Sequence, residues 1–148
     1  ILEKLETYRK EGKKIVFTNG CFDVIHAGHT ALLKAAKDQG DILVVGLNTD
    51  KSVNSLKGKE RPFHKLAERA KVLEELQSVD LIVPFNTPTP LNLIRKIKPD
   101  VLVKGSEYSP EDIVGAETIK SYGGVVTTVP MVGNLSTSRL LDTLPKSK

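Results

Sequence analysis

The chain has one cysteine, Cys21, and no tryptophan. A lone cysteine excludes an internal disulfide and suits a reducing compartment. One Cys and three His are also a thin supply for a four-ligand structural zinc site. Aromatic residues are few, four Phe and three Tyr, and no aromatic-basic patch is visible. A stacking platform for single-stranded nucleic acid is therefore not expected. No apolar run approaches the roughly 20 residues of a membrane-crossing helix. The opening Ile1-Leu2-Glu3-Lys4-Leu5 is mixed and charged, unlike a signal peptide. Charge of neither sign dominates: 22 Lys and Arg face 18 Asp and Glu, a net +4. That excess suits small polyanions and falls well short of a nucleic-acid-binding tail. We expect a cytoplasmic protein with no nucleic-acid and no membrane partner.

What is present fits an ordinary folded domain. The 148 residues are 39% apolar and 27% charged, enough for one domain, 1–148, with its own core. The chain opens on Ile1 and not on Met, which fits a piece cut from a longer polypeptide as well as a stand-alone protein.

Strand-like and helix-like stretches alternate throughout. Helical spacing covers Leu2 to Glu11, Gly28 to Gln39, Leu66 to Leu76, Thr89 or Pro90 to Ile97, part of Pro110 to Tyr122, and Ser136 to Leu144. Strands are expected at Lys14 to Phe17, Ile42 to Leu47, Leu81 to Val83, Val101 to Val103 and Val125 to Val129. The run Ile42-Leu43-Val44-Val45-Gly46-Leu47 is apolar throughout, as a strand buried on both faces should be. Asn48 to Pro62 is polar and rich in Lys and Gly, and reads as a long loop. The alternation predicts an α/β fold, a Rossmann-like doubly wound parallel five-stranded sheet with helices on both faces. Ligands in such sheets bind beyond the carboxyl ends of the strands. The polar candidates gather there: Asn19 to His29, Asn48 to Arg61, Lys104 to Tyr108, and Asn134 to Arg139.

His26-Ala27-Gly28-His29 stands where the first of these strands turns into a helix. A helix start offers backbone N–H groups and a positive dipole end to an anion. Gly28, lacking Cβ, lets a ligand approach the backbone. Two imidazoles three residues apart share one side of the opening turn, and each can donate to phosphate oxygens. The same spacing also occurs as an incidental surface pair.

These four residues resemble the HxGH signature of the nucleotidylyltransferase superfamily. The wider set from Gly12 onward resembles the ADP-heptose synthase adenylyltransferases. The stretches that carry this are Thr18-Asn19-Gly20-Cys21-Phe22-Asp23, Asn48-Thr49-Asp50, Leu56-Lys57-Gly58, Arg61-Pro62 and Glu68-Arg69. Val79-Asp80, Val83-Pro84-Phe85, Pro99-Asp100, Val103-Lys104-Gly105 and Ser136-Thr137-Ser138 complete it. The chain departs from the pattern at Ser106-Glu107-Tyr108, where Gly-Asp-Tyr is common, and at Ser138, where Thr is usual.

The resemblance implies transfer of AMP from ATP to D-glycero-β-D-manno-heptose 1-phosphate, with Mg²⁺ on the triphosphate and, often, a sugar kinase fused upstream. His26, His29 and Lys57 become the catalytic candidates, with Lys57 on a loop free to swing onto the triphosphate. Asn19, Gly20, Cys21, Phe22, Asp23, Gly28, Arg69, Lys104, Gly105, Ser136 and Thr137 are candidates for nucleotide and phosphate binding. Arg69 is cast as a bidentate grip on pyrophosphate, and Ser136 and Thr137 as a second helix-start phosphate site. Asn48, Arg61 and Glu107 are candidates for the sugar phosphate. Cys21 reads as a packing residue and not a nucleophile. No metal-ligand motif is expected, because Mg²⁺ keeps its waters and takes few protein ligands. Two other readings stand beside this one: a cytidylyltransferase acting on a small polyol phosphate such as glycerol 3-phosphate, and a non-catalytic nucleotide- or RNA-binding module. A homo-oligomer is compatible with all three.

Overall fold

In a computed structural model, described here for residues 1–106 and 108–130, five strands form one all-parallel sheet in the order β3-β2-β1-β4-β5. The strands are β1 (Ile15–Gly20), β2 (Ile42–Asn48), β3 (Leu81–Phe85), β4 (Val101–Gly105) and β5 (Val125–Val129). The helices are α1 (Leu2–Lys10), α2 (Ala27–Lys37), α3 (Asp50–Lys57), α4 (Leu66–Glu74), α5 (Leu91–Ile97) and α6 (Ala116–Ser121), with a 3₁₀ turn at Pro110–Asp112.

Period-two alternation divides the core between the two faces of the sheet. Ile15, Phe17, Val44 and Leu102 pack with Leu5 of α1, Ile94 and Ile97 of α5, and Ile119 of α6. Val16, Leu43, Val45 and Val103 face the other way, onto Leu33 and Ala36 of α2 and Leu73 of α4. Every residue of β2 is buried, as its unbroken apolar run requires. Gly46 interrupts that run for a steric reason: a Cβ there would stand 2.7 Å from Cζ of Phe17. Pro84 falls in β3, an edge strand, where a missing N–H is tolerated. Asp100 and Asp80 pin strand starts, accepting from Ile15 N–H and Leu43 N–H, each at 2.8 Å.

The strand order reverses between β1 and β4, so the crevice at their carboxyl ends is where such a sheet holds a ligand. β1, β3 and β4 each run two or three residues further toward that edge than the apolar pattern alone indicated. One expectation is overturned. Asn48 to Pro62 is not a long loop, because α3 occupies Asp50–Lys57. Thr49 caps it by accepting from Ser52 N–H at 3.3 Å, and Asp50 complements the dipole in its first turn. Val53 is fully buried, whereas Leu56 is exposed, so no apolar stripe betrays the helix. The helix expected over Ser136 to Leu144 lies outside the described residues. Among those described, no helix is long and apolar enough to cross a membrane.

Candidate active site at the carboxyl edge of the sheet

The chain leaves β1 at Gly20 and reaches α2 through six residues, Cys21 to His26. Phe22 adopts φ 46°, the left-handed region, which costs a residue with a Cβ roughly 1–3 kcal/mol. Burial of its ring holds it there, and Gly20 makes the room: a Cβ at position 20 would meet the ring at 3.0 Å. Asp23 is buried and accepts three hydrogen bonds, from Arg61 Nε at 2.7 Å, Phe63 N–H at 2.7 Å and His64 N–H at 2.8 Å. Burial by itself would raise the Asp23 pKa, but the two backbone donors and the Arg61 guanidinium outweigh it and hold the carboxyl below its ordinary value. Asp23 thus anchors the segment entering α4.

His26 is the N-cap of α2, and the two histidines cap the helix reciprocally. His26 Nδ1 accepts from Gly28 N–H at 3.0 Å, and His29 Nδ1 accepts from His26 N–H at 3.2 Å. This is a capping box built from imidazoles. It assigns the tautomer, because a neutral ring that accepts at Nδ1 carries its proton at Nε2. Each ring then keeps one outward donor. The ring centroids are 4.2 Å apart, and Phe22 packs 5.5 Å from His29. Burial, reinforced by electrostatic repulsion from the neighbouring His26 and Lys57, lowers the His29 pKa from 6.5 to about 4. His29 is therefore neutral at physiological pH. The Gly28 N–H, expected to serve an anion, is instead engaged by the His26 ring.

Lys57 is the last residue of α3, exposed, and near enough to depress the titration of His29 and to oppose the effect of burial on Cys21. The loop expected to carry it is a helix end. Cys21 is half-buried, and burial raises its pKa above 9.0 against the pull of Lys57, Arg69 and Arg61. It is a thiol at neutral pH, as a packing residue should be. Lys104 donates to the carbonyl of Asn19 at 3.1 Å and lies 5.3 Å from the Tyr108 ring centroid, tying β4 to β1 across the crevice. Gly105 ends β4 beside it.

Three nominated residues take internal roles. Arg69 is fully buried. Its Nε donates to His64 O at 2.9 Å, and Nη1 donates to Cys21 O at 2.8 Å and to Asn48 O at 2.7 Å. Its Nη2 pairs with Asp50 at 2.7 Å. The expected grip on pyrophosphate does not fit this geometry, because those donors are engaged inside the protein. Asn48 is buried and donates its amide to Ser52 Oγ at 2.8 Å. Arg61 gives Nε to Asp23 and stacks over Phe63 at 4.5 Å, leaving its side chain 28% exposed. Glu107, Ser136 and Thr137 lie outside the described residues. Among the described residues, no group of three or more His, Cys, Asp or Glu could hold a metal ion.

The profile of cytidylyltransferase-like proteins matches residues 17–140, a span that runs from inside β1 through the histidine cap and the α3–α4 corner. The chain belongs to the cytidylyltransferase-like family. It is 53% identical over 137 residues to the bifunctional protein HldE of Gluconobacter oxydans, covering 93% of this chain and 29% of that protein. The HldE of Geobacter metallireducens is 51% identical over 138 residues, covering 93% of this chain and 28% of that protein. This cytidylyltransferase-like chain therefore spans less than a third of the curated relatives it matches. A solved lipopolysaccharide core biosynthesis protein from Thermoplasma volcanium superposes with a TM-score of 0.65 at 27% identity, covering 81% of this chain and 97% of the other.

Asp50 was not nominated from the sequence, yet it joins α3 to α4 by accepting from Leu66 N–H at 2.8 Å as well as from Arg69. Its signal was modest, an acidic residue in the first turn of an unrecognised helix. The capping role of Thr49 is hidden in the sequence for the same reason.

Proposed function

We propose that this cytidylyltransferase-like chain transfers AMP from ATP to D-glycero-β-D-manno-heptose 1-phosphate, releasing pyrophosphate and forming ADP-heptose for lipopolysaccharide core synthesis. The reciprocal histidine cap carries the reading, because it engages Nδ1 of both rings and leaves their Nε2–H groups as donors, near the cation of Lys57. The identity of about one half to bifunctional HldE proteins supports the choice of substrates.

The chemistry joins two anions. An oxygen of the sugar phosphate forms a bond to the α-phosphorus of ATP, and the bond from that phosphorus to the α–β bridging oxygen breaks. The electron pair leaves with pyrophosphate. A phosphate monoester has its second pKa near ~6, so the nucleophile is already mostly dianionic at neutral pH and needs no general base. What remains is charge stabilisation and alignment. The Nε2–H groups of His26 and His29 donate to the phosphoryl oxygens as negative charge shifts onto them. Lys57 offsets charge on the triphosphate from the end of α3. Mg²⁺ enters with ATP as part of the substrate, held chiefly by the phosphates. Lys104, and Ser136 and Thr137 beyond the described residues, serve the nucleotide.

A cavity of ≈ 310 Å³ lies between the β1–α2 turn and α4. Its walls include Phe22, Val24, Ile25 and Val72, and it takes in Glu68. Asp23, His64 and Arg69 also line it, but the Asp23 carboxylate and the Arg69 guanidinium are engaged inside the protein, so we place the phosphates over the histidines and not there. The bifunctional relatives support a further part of the proposal: the chain works in the cytoplasm, joined to the kinase that makes the heptose 1-phosphate.

The family's description as cytidylyltransferase-like favours a second reading, CTP with a small polyol phosphate. Pyrophosphate release with ATP and CTP, each against heptose 1-phosphate and glycerol 3-phosphate, separates the two. Absence of turnover with every pair would leave the non-catalytic module.

A further inference from the structure

Arg69 ties together four segments of this edge, and the phosphate chemistry does not require it. Its four hydrogen bonds end on four separate places: Cys21 in the turn after β1, Asn48 at the end of β2, Asp50 in the first turn of α3, and His64 at the entry to α4. A guanidinium has five N–H donors in a fixed planar fork, so it sets angles as well as distances. One of the clamped segments, Cys21, leads directly into the histidine cap. Another, Asp50, begins the helix that ends at Lys57.

We propose that Arg69 is a positioning residue: by clamping the Cys21 and Asn48 carbonyls and the Asp50 carboxylate, it fixes α3 against the β1–α2 turn so that Lys57 faces His29. This rests on the reading that Lys57 and the histidine pair share one phosphate site, but it is testable without turnover. The titratable groups acting on His29 are His26 on its own helix cap and Lys57 from α3, added to the effect of burial. A loosened clamp lets Lys57 drift, and its share of the depression is lost.

The test is an NMR titration of the His29 ring in the full chain, comparing wild type, Lys57→Ala, Arg69→Lys and the double variant. A lysine cannot span the four acceptors. The expected result is that Lys57→Ala raises the His29 pKa, that Arg69→Lys raises it as well, and that the double variant shows no more than Lys57→Ala alone. Should Arg69→Lys fail to fold, Asp50→Asn makes the same test. Position 50 has a side chain 42% exposed, and an amide oxygen there still accepts from Leu66 N–H while its hold on Arg69 weakens. In the kinetic arm, run with whichever pair wild type turns over best, Arg69→Lys lowers kcat about 10²-fold, the scale of an ångström-sized misplacement, with KM nearly unchanged. In the Lys57→Ala background the same substitution costs less than about threefold, because the two act as a unit. A folded Arg69→Lys or Asp50→Asn protein whose His29 titrates as in wild type overturns the proposal. So does a Lys57→Ala protein with His29 unmoved. A failure of the heptose substrates would sink the proposed reaction and leave the titration result standing.

Discussion

Two substitutions at His29 separate its structural role from its chemical one. The ring does two things: Nδ1 accepts from His26 N–H at 3.2 Å, and Nε2 is left to donate outward. In His29→Asn the amide oxygen takes the position of Nδ1, so the cap survives while the far donor is gone. In His29→Ala both are lost. Losing one transition-state donor costs about 10²–10³ in kcat, so both variants should fall by that factor. Stability should distinguish them. A lost cap interaction costs about 0.5–2 kcal/mol. At roughly 2–4 °C per kcal/mol for a chain of this size, His29→Ala should melt about 1–8 °C lower. His29→Asn should stay much closer to wild type. The assay is pyrophosphate release at saturating substrates, alongside thermal unfolding followed by far-ultraviolet circular dichroism. A well-folded His29→Asn protein with near-normal kcat would refute the donor role.

The remaining predictions concern neighbours of that pair. Lys57→Ala should lower activity sharply and leave the melting temperature almost unchanged, because the side chain is exposed at the end of α3; Lys51→Ala, also exposed, is the control and should do little. Cys21→Ser should retain most activity, since the thiol is held protonated by burial, and a nucleotidyl adduct trapped on the sulfur would contradict direct displacement. The folded-state pKa of His29, about 4, lies below its ordinary 6.5, so the unfolded chain binds the extra proton first. Its contribution to stability is complete above pH 6.5 and is lost as pH falls toward 4. The wild-type melting temperature should therefore drop more steeply between pH 6.5 and 4 than that of His29→Asn, and parallel curves would be the contrary result.

The sheet and its helices were legible because their signals are local and strong. The all-apolar β2 and the alternation of strand with amphipathic helix left few other folds open. The place of the histidine pair at a helix start was legible because a strand gives way to a helix at His26. The tautomer was not, since it depends on which backbone N–H each ring meets. α3 was hidden because Val53 is its lone fully buried apolar side chain, and a polar helix held by one anchor and a Thr cap looks like a loop. Arg69 was assigned to the ligand because an arginine on a surface-like helix usually reaches outward. Its burial follows from carbonyls of Cys21 and Asn48, distant in sequence, that converge only when β1 and β2 pair.

The central claim is the identity of the transferred group and its acceptor. The measurement that tests it most directly is kcat/KM for pyrophosphate release with ATP and β-configured heptose 1-phosphate, set against CTP and glycerol 3-phosphate on the same preparation. The account predicts that the ATP and heptose 1-phosphate pair is fastest, with ADP-heptose as the product. A higher kcat/KM for CTP with glycerol 3-phosphate would contradict it and make the chain a cytidylyltransferase in activity.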